Sequence, residues 1–160
     1  MSGDDVLALA SVDEPELTAL ARALAPALAC GGIVHLVGDL GAGKTTFARA
    51  LLQALGVGDR VKSPTYSLIE SYTAGQLDIH HLDLYRIADP GELEWLGLED
   101  LWKAGSLVLV EWPERGRGAL PEPDLTIELA HAGPARSLRA RAQGPRGAAM
   151  VAALRSHAAS

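Results

Sequence analysis

The chain has 160 residues, of which 48% are apolar and 21% charged, values typical of a globular protein that buries its own core. It has no apolar run long enough to span a membrane, an opening with Gly3-Asp4-Asp5 and no basic segment is not expected to be a secretory signal, and its single cysteine, Cys30, excludes internal disulfides and multi-cysteine metal sites. A reducing cytosol is the expected compartment. The net charge of −6 is uneven: the acidic surplus lies in residues 1–114, while residues 115–160 carry seven arginines against three acids. Nucleic-acid affinity needs basic residues that displace condensed counterions, so the acidic part is not expected to grip RNA or DNA. Arg136, Arg139, Arg141 and Arg146 read first as a solvated basic surface.

Val6-Leu7-Ala8-Leu9-Ala10 predicts a short first strand. Ser11 with Glu14, or Asp13 with Glu16, has capping-box spacing and starts a helix expected to end near Cys30-Gly31-Gly32, kinked or shortened by Pro26. Ile33-Val34-His35-Leu36-Val37 reads as a buried strand, and Thr46 to Leu55 has the apolar spacing of a helix closed by Gly56-Val57-Gly58-Asp59. Tyr66 to Tyr72 and Gln76 to Leu82 flank a turn at Thr73-Ala74-Gly75 and predict an antiparallel hairpin. Asp89 as N-cap and Pro90 in the first turn predict another helix. Leu107-Val108-Leu109-Val110 reads as a second buried strand, and residues 125–129 and 137–141 as two antiparallel neighbours. Residues 148–157 fit a last helix or a frayed tail after about residue 143. The order predicts an α/β fold in one domain over residues 1–160. Its form is a three-layer P-loop NTPase-like domain with a mostly parallel central sheet and antiparallel additions.

Between the first buried strand and its helix stands Gly38-Asp39-Leu40-Gly41-Ala42-Gly43-Lys44-Thr45, the full G-x-x-x-x-G-K-[ST] pattern in its strand–loop–helix setting. The glycines let successive N–H groups curl into an anion-binding nest at a helix N-terminus. Residues 38–46, ending in Thr46, are therefore the expected nucleotide-binding segment; Lys44 is placed for the β- and γ-phosphates and Thr45 for Mg²⁺. Such a loop needs a carboxylate at a neighbouring strand end. Asp83 and Glu111 each follow a predicted strand, and the apolar run before Glu111 gives no other reason for an acid there. Ser63-Pro64-Thr65 reads as an ordinary turn or as a nucleotide switch. Trp112 reads first as packing. His80 and His81 show no partner cluster, and Arg115-Gly116-Arg117-Gly118 is a short candidate for a kinase lid. The chain has no asparagine, so the Asn-Lys-x-Asp guanine code is absent and ATP is the expected nucleotide. A small-molecule kinase and an ATP-sensing scaffold stay open beside an ATPase.

Four separated segments together resemble the TsaE (YjeE) family, the bacterial ATPase of tRNA threonylcarbamoyladenosine biosynthesis. They are residues 38–46, Lys62-Ser63-Pro64-Thr65-Tyr66, His81-Leu82-Asp83-Leu84-Tyr85-Arg86 and Glu111-Trp112, with Asp89-Pro90-Gly91-Glu92-Leu93-Glu94 and Leu98-Glu99-Asp100 in support. The resemblance implies a Mg²⁺-dependent ATPase, weak alone, that works with a threonylcarbamoyl-transferase subunit and that subunit's inactive paralogue. In this setting tRNA is reached indirectly, through the complex. The resemblance also implies that Lys44 and Thr45 hold phosphate and Mg²⁺, and that Thr65 is a switch-like threonine. Asp83 and Glu111 complete the metal and water shell, and Trp112 becomes a functional candidate. Which acid orients the attacking water stays open. With no clear arginine finger, weak hydrolysis alone is expected, with Arg86 a candidate in cis.

Overall fold

The computed structural model describes residues 5–62, 64, 68–103 and 105–158. Strand β1 spans Val6–Val12 and leads into helix α1, Glu14–Leu24. Asp13 caps α1, its side chain accepting from the Glu16 N–H at 2.8 Å; Ser11 lies inside β1 instead. The α-helix stops at Leu24 rather than near Cys30, because Pro26 has no N–H to continue it, and Ala25–Leu28 tightens into a 3-10 turn. Strand β2, Gly32–Val37, then runs into a glycine loop and helix α2, Lys44–Ala54.

The expected hairpin forms as β3, Ile69–Ala74, and β4, Leu77–Asp83, paired antiparallel across the turn at Gly75. Leu68 just before β3 has φ +69, and the first residues of the expected strand, Tyr66 and Ser67, lie outside the described residues. The helix expected after Asp89 forms as a 3-10 segment, Pro90–Leu96, with Asp89 as its N-cap. Its capping box is complete, with Asp89 accepting from Gly91 N–H at 3.0 Å and Glu92 returning to the Asp89 N–H at 3.2 Å. Gly97, with φ +64, then ends the segment after seven residues. Strand β5, Leu107–Glu111, is buried at every position. Strands β6, Leu125–Ala132, and β7, Ala135–Ala142, form the second hairpin.

All seven strands join one sheet in the order β1-β7-β6-β2-β5-β4-β3. The four central strands, β6, β2, β5 and β4, run parallel, with antiparallel additions on both sides. Side-chain alternation divides the core in two. Val34, Leu36, Leu107 and Leu109 pack with Leu17, Leu24, Phe47 and Leu51 from the α-helices. Val108 and Val110, on the other face, pack with Leu84 and Ile87 from the turn after β4 and with Leu93 and Leu98 from the 3-10 segments. Because the central strands are parallel, β2, β5 and β4 end on the same edge of the sheet. That edge carries the glycine loop, Glu111 and Asp83.

The C-terminal segment is a docked helix, α3, Gly144–Ala158, not a frayed tail. It buries Met150, Val151 and Leu154, and Arg155 donates to the Val6 carbonyl at 2.8 Å. Gly147 makes this docking possible, because a Cβ there would collide with the carbonyl oxygen of Asp124. In an exposed helix Gly→Ala stabilises by about 1 kcal/mol. Here the sign should reverse: Gly147→Ala is expected to lower stability by about 1–3 kcal/mol, the usual cost of overpacking. Urea unfolding checks this, and a higher midpoint for the variant would contradict the backbone contact.

Candidate active site

The loop from Gly38 to Gly43 turns the chain from β2 into α2, and two of its glycines are required by geometry. A Cβ on Gly38 would collide with the Leu129 carbonyl. Gly43 has φ +110, and a Cβ on it would lie 2.9 Å from Leu17 and 3.1 Å from Arg136 Nε. Within the loop, Ala42 N–H bonds the Asp39 carbonyl at 3.1 Å, while Leu40 stands 63% exposed at the tip. The first N–H groups of an α-helix, here including those of Thr45 and Thr46, lack intrahelical acceptors, and both residues line the cleft beyond the loop.

Lys44 is almost fully buried, with 5% exposure. Its ammonium donates to the carbonyls of Gly38 and, at 3.1 Å, Asp39, and it stands 4.2 Å from the centroid of the Trp112 ring. Burial pushes its pKa down, while the charges of Glu111, Glu114, Asp83 and Asp39 pull it back up.

Glu111 closes β5 at 2% exposure. Its Oε1 accepts from Thr45 Oγ1 at 3.1 Å, and its Oε2 accepts from His81 Nε2 at 2.6 Å. His81 is thus a partner of the site, contrary to the expectation of an isolated strand histidine. It sits inside β4 in register with Leu109, two residues before Asp83, which is in register with Glu111. No spacing in the sequence marks this contact, because it is made across two strands. The Oδ1 atom of Asp83 accepts from Tyr85 N–H at 3.0 Å. Burial raises the Asp83 pKa; the Tyr85 N–H opposes this, and the Glu111 charge adds to it.

Trp112 holds the left-handed conformation, φ 59 and ψ 49, which is uncommon for a residue with a bulky side chain. This turns its ring back over the loop instead of along the strand. The ring meets Tyr85 at 4.9 Å between centroids, and the Arg115 guanidinium lies 5.4 Å from Tyr85 and 5.9 Å from Trp112. Trp112 therefore covers Lys44 directly. Arg115 belongs to the 3-10 turn Pro113–Gly116, so the segment weighed as a lid is a short folded cap beside the aromatics.

These groups surround a cleft of about 310 Å³ that also takes in Arg86 and Arg136. Arg136 reaches the loop from β7, donating from Nη2 to the Gly41 carbonyl at 3.1 Å. It is therefore part of the site rather than of a plain solvated surface. Ser63, Thr65 and Tyr66 lie outside the described residues. Among the described ones, the structure brings Lys44, Thr45, Asp83, Glu111 and Trp112 to one place. No group of three or more His, Cys, Asp or Glu residues forms a ready metal cage among them.

The raised pKa of Asp83 has a stability consequence. A carboxyl group whose folded pKa lies above its unfolded value favours folding only while protonated, below about pH 4. That contribution is lost as pH rises through the folded value, so at pH 7 the charged group opposes folding. Asp83→Asn keeps an acceptor for Tyr85 N–H and removes the charge. It is expected to raise stability at pH 7 by under about 1 kcal/mol, given partial solvent screening, with the gain shrinking below pH 4. Denaturant titrations at pH 7 and 3.5 check this, and equal destabilisation at both pH values would contradict it.

Residues 11–139 match the family model described as threonylcarbamoyl adenosine biosynthesis protein TsaE. A tRNA threonylcarbamoyladenosine biosynthesis protein TsaE from Haemophilus influenzae is 46% identical over 121 residues, covering 76% of this chain and 77% of that protein. The protein of the same name from Bacillus subtilis is 38% identical over 123 residues, covering 77% of each. The crystal structure of Bacillus subtilis YdiB superposes with a TM-score of 0.76 at 32% identity, covering 96% of both chains. The match takes in the glycine loop, both strand-end carboxylates and Trp112, and the chain belongs to the TsaE family.

Proposed function

We propose that this chain is a Mg²⁺-dependent ATPase, weak alone, that acts as an accessory subunit in threonylcarbamoylation of the adenosine beside tRNA anticodons. The observation that carries the proposal is the bond from Thr45, the first hydroxyl of α2, to Glu111 at the end of β5. It joins the candidate phosphate loop to the candidate catalytic carboxylate at the sheet edge where open α/β sheets hold ligands. The TsaE family membership of residues 11–139 supports the place of this reaction in tRNA modification.

The residues fit both ligands. The Thr45 hydroxyl and the carboxylates of Asp83 and Glu111 are hard oxygen donors of the kind Mg²⁺ accepts. Asp83 and Glu111 stand in register on neighbouring strands, so a cation bound beside them would offset their mutual repulsion. The loop, from Gly38 and Asp39 through Leu40, Gly41 and Ala42 to Gly43, presents N–H groups to phosphate oxygens, with Thr46 continuing the set into the helix. Mg²⁺ bound beside Thr45 would neutralise charge on the β- and γ-phosphate oxygens.

Within that frame the chain's residues divide the work. Lys44 leaves the carbonyls of Gly38 and Asp39 to meet the phosphates, carrying its charge into a site partly walled by the Trp112 ring. His81 holds one Glu111 oxygen, so the other faces Thr45 and the cleft, where it orients water or a metal-bound ligand. Asp83 stands in register beside it. Thr65, outside the described residues, is the proposed switch threonine. The partners are a threonylcarbamoyl-transferase subunit and its inactive paralogue, with tRNA engaged through them in the cytosol. This assignment suits an acidic chain whose residues 1–114 repel nucleic acid.

Lys44→Ala is expected to abolish function in reconstituted tRNA modification. Full activity would remove both the ATPase reading and that of an ATP-sensing scaffold. Glu111→Ala is expected to retain ATP binding while hydrolysis falls by about 100-fold or more, the scale of a lost positioned base. Near-normal turnover would take Glu111 out of the mechanism. A phosphorylated metabolite accumulating in place of free phosphate would identify a kinase instead.

A further inference from the structure

Among the arginines of β7, Arg136 is in a different environment from its neighbours. Leu138, Ala140 and Ala142 face the core at 0–4% exposure, and Arg136 shares their face by strand alternation. Arg139 and Arg141 point the other way, are exposed, and Arg141 pairs with Glu128 at 2.8 Å. A core-facing position at the start of a strand would ordinarily hold an apolar residue. Here it holds a guanidinium at the point where the core gives way to the cleft.

The hydrogen bonding of this guanidinium is incomplete. One terminal nitrogen donates to the Gly41 carbonyl at 3.1 Å, but Nε is buried and has no partner. No carboxylate among the described residues makes an ion pair with Arg136, whereas Arg141 on the opposite face pairs with Glu128. Arginine does not lose its proton in proteins. A buried N–H of a permanent cation left without an acceptor is a costly arrangement unless a ligand completes it. The Gly43 α-carbon lies beside it: a side chain at Gly43 would meet Arg136 Nε at 3.1 Å. The open donor therefore lies against the glycine that precedes Lys44, beside the nest of loop N–H groups.

We infer that Arg136 is a second cationic contact for the polyphosphate, supplied in cis by the β6–β7 hairpin against Gly41 and Gly43 of the glycine loop. This inference rests on the reading of the loop as a phosphate site. A planar fork of donors meets phosphate oxygens two at a time, which an ammonium cannot do. Its bond to Gly41 serves as a standby: it parks the side chain against the loop and holds the loop until the ligand arrives. The β6–β7 hairpin thereby becomes part of the nucleotide site, and the departure of product returns Arg136 to the Gly41 carbonyl.

The test is calorimetric binding of ATP and of inorganic tripolyphosphate, each with Mg²⁺, to the full chain. The proteins are wild type, Arg136→Gln, Arg136→Lys and, as control, Arg139→Gln. Arg136→Gln is expected to weaken both ligands by about tenfold or more, the scale of a lost charge-assisted contact. Arg136→Lys should fall between, and Arg139→Gln should bind as wild type. Affinities within about twofold of wild type for Arg136→Gln overturn the inference. So does an equal loss in Arg139→Gln, which would mark a general charge effect. Should Arg136→Gln fail to fold by its melting temperature, Arg136→Lys decides: weakened tripolyphosphate binding at an unchanged melting temperature supports the contact, and wild-type binding overturns it. Wild-type protein that binds tripolyphosphate but not ATP would remove the ATPase reading and leave Arg136 to be judged on tripolyphosphate. Binding of neither ligand would remove both.

Discussion

A carboxyl group buried as deeply as that of Glu111 costs free energy unless its oxygens find hydrogen-bond partners. One partner comes from the first turn of α2, Thr45, and the other from the interior of β4, His81. Satisfying Glu111 therefore fixes the helix after the glycine loop against the ends of two parallel strands. It also sets the spacing of every other group in the cleft. Asp83 follows from β4 by register, Lys44 from the turn before Thr45, and Trp112 from the residue after Glu111. A change that frees either oxygen would loosen all of these at once.

The loop as it stands binds itself. The ammonium of Lys44 is occupied by two carbonyls of its own loop and roofed by the Trp112 ring, and Arg136 rests on a third carbonyl. On the proposed reading, opening the site exchanges weak internal contacts for stronger ones to a polyanion. Trp112 pays part of the cost in advance through its left-handed backbone, a strain of roughly 1–3 kcal/mol that persists only because the surroundings enforce it. Such strain is stored where a switch needs two states of similar energy. A partner protein that moves the Tyr85–Trp112–Arg115 stack would change how readily Lys44 is released, which would give the proposed weak activity alone a structural basis.

Much of this arrangement is legible before any coordinates. The glycine loop carries its own meaning, because close backbone approach at Gly38 and positive φ at Gly43 leave few other residues possible there. The runs 33–37 and 107–110 mark central strands, the second buried at every position, and the acid after the second run marks the sheet edge. The resemblance to the TsaE family, carried by four separated segments, is borne out by the family match. What pattern does not show is contact across strands. His81 is one of two adjacent histidines in an apolar strand, and only the β4–β5 register sets it beside Glu111. Arg136 stands among four arginines in a basic tail, and only the β7 alternation separates it from the exposed ones. The helix ends moved for local reasons: Pro26 stopped α1 early, and a short capped segment closed by Gly97 stayed 3-10. The role of α3 was hidden by its Ala-rich sequence, since its docking depends on Gly147 meeting a carbonyl rather than on a strong apolar stripe.

The central claim is that this cleft turns ATP hydrolysis into turnover of a tRNA-modifying complex. It is tested most directly by multiple-turnover threonylcarbamoylation of tRNA by the transferase subunit and its paralogue, with and without this protein. Each reaction is run with ATP and with a non-hydrolysable analogue supplied to this subunit. The account predicts sustained product formation only with this protein and ATP, and no more than about one product per complex with the analogue. Equal turnover with the analogue, or turnover independent of this protein, would contradict it.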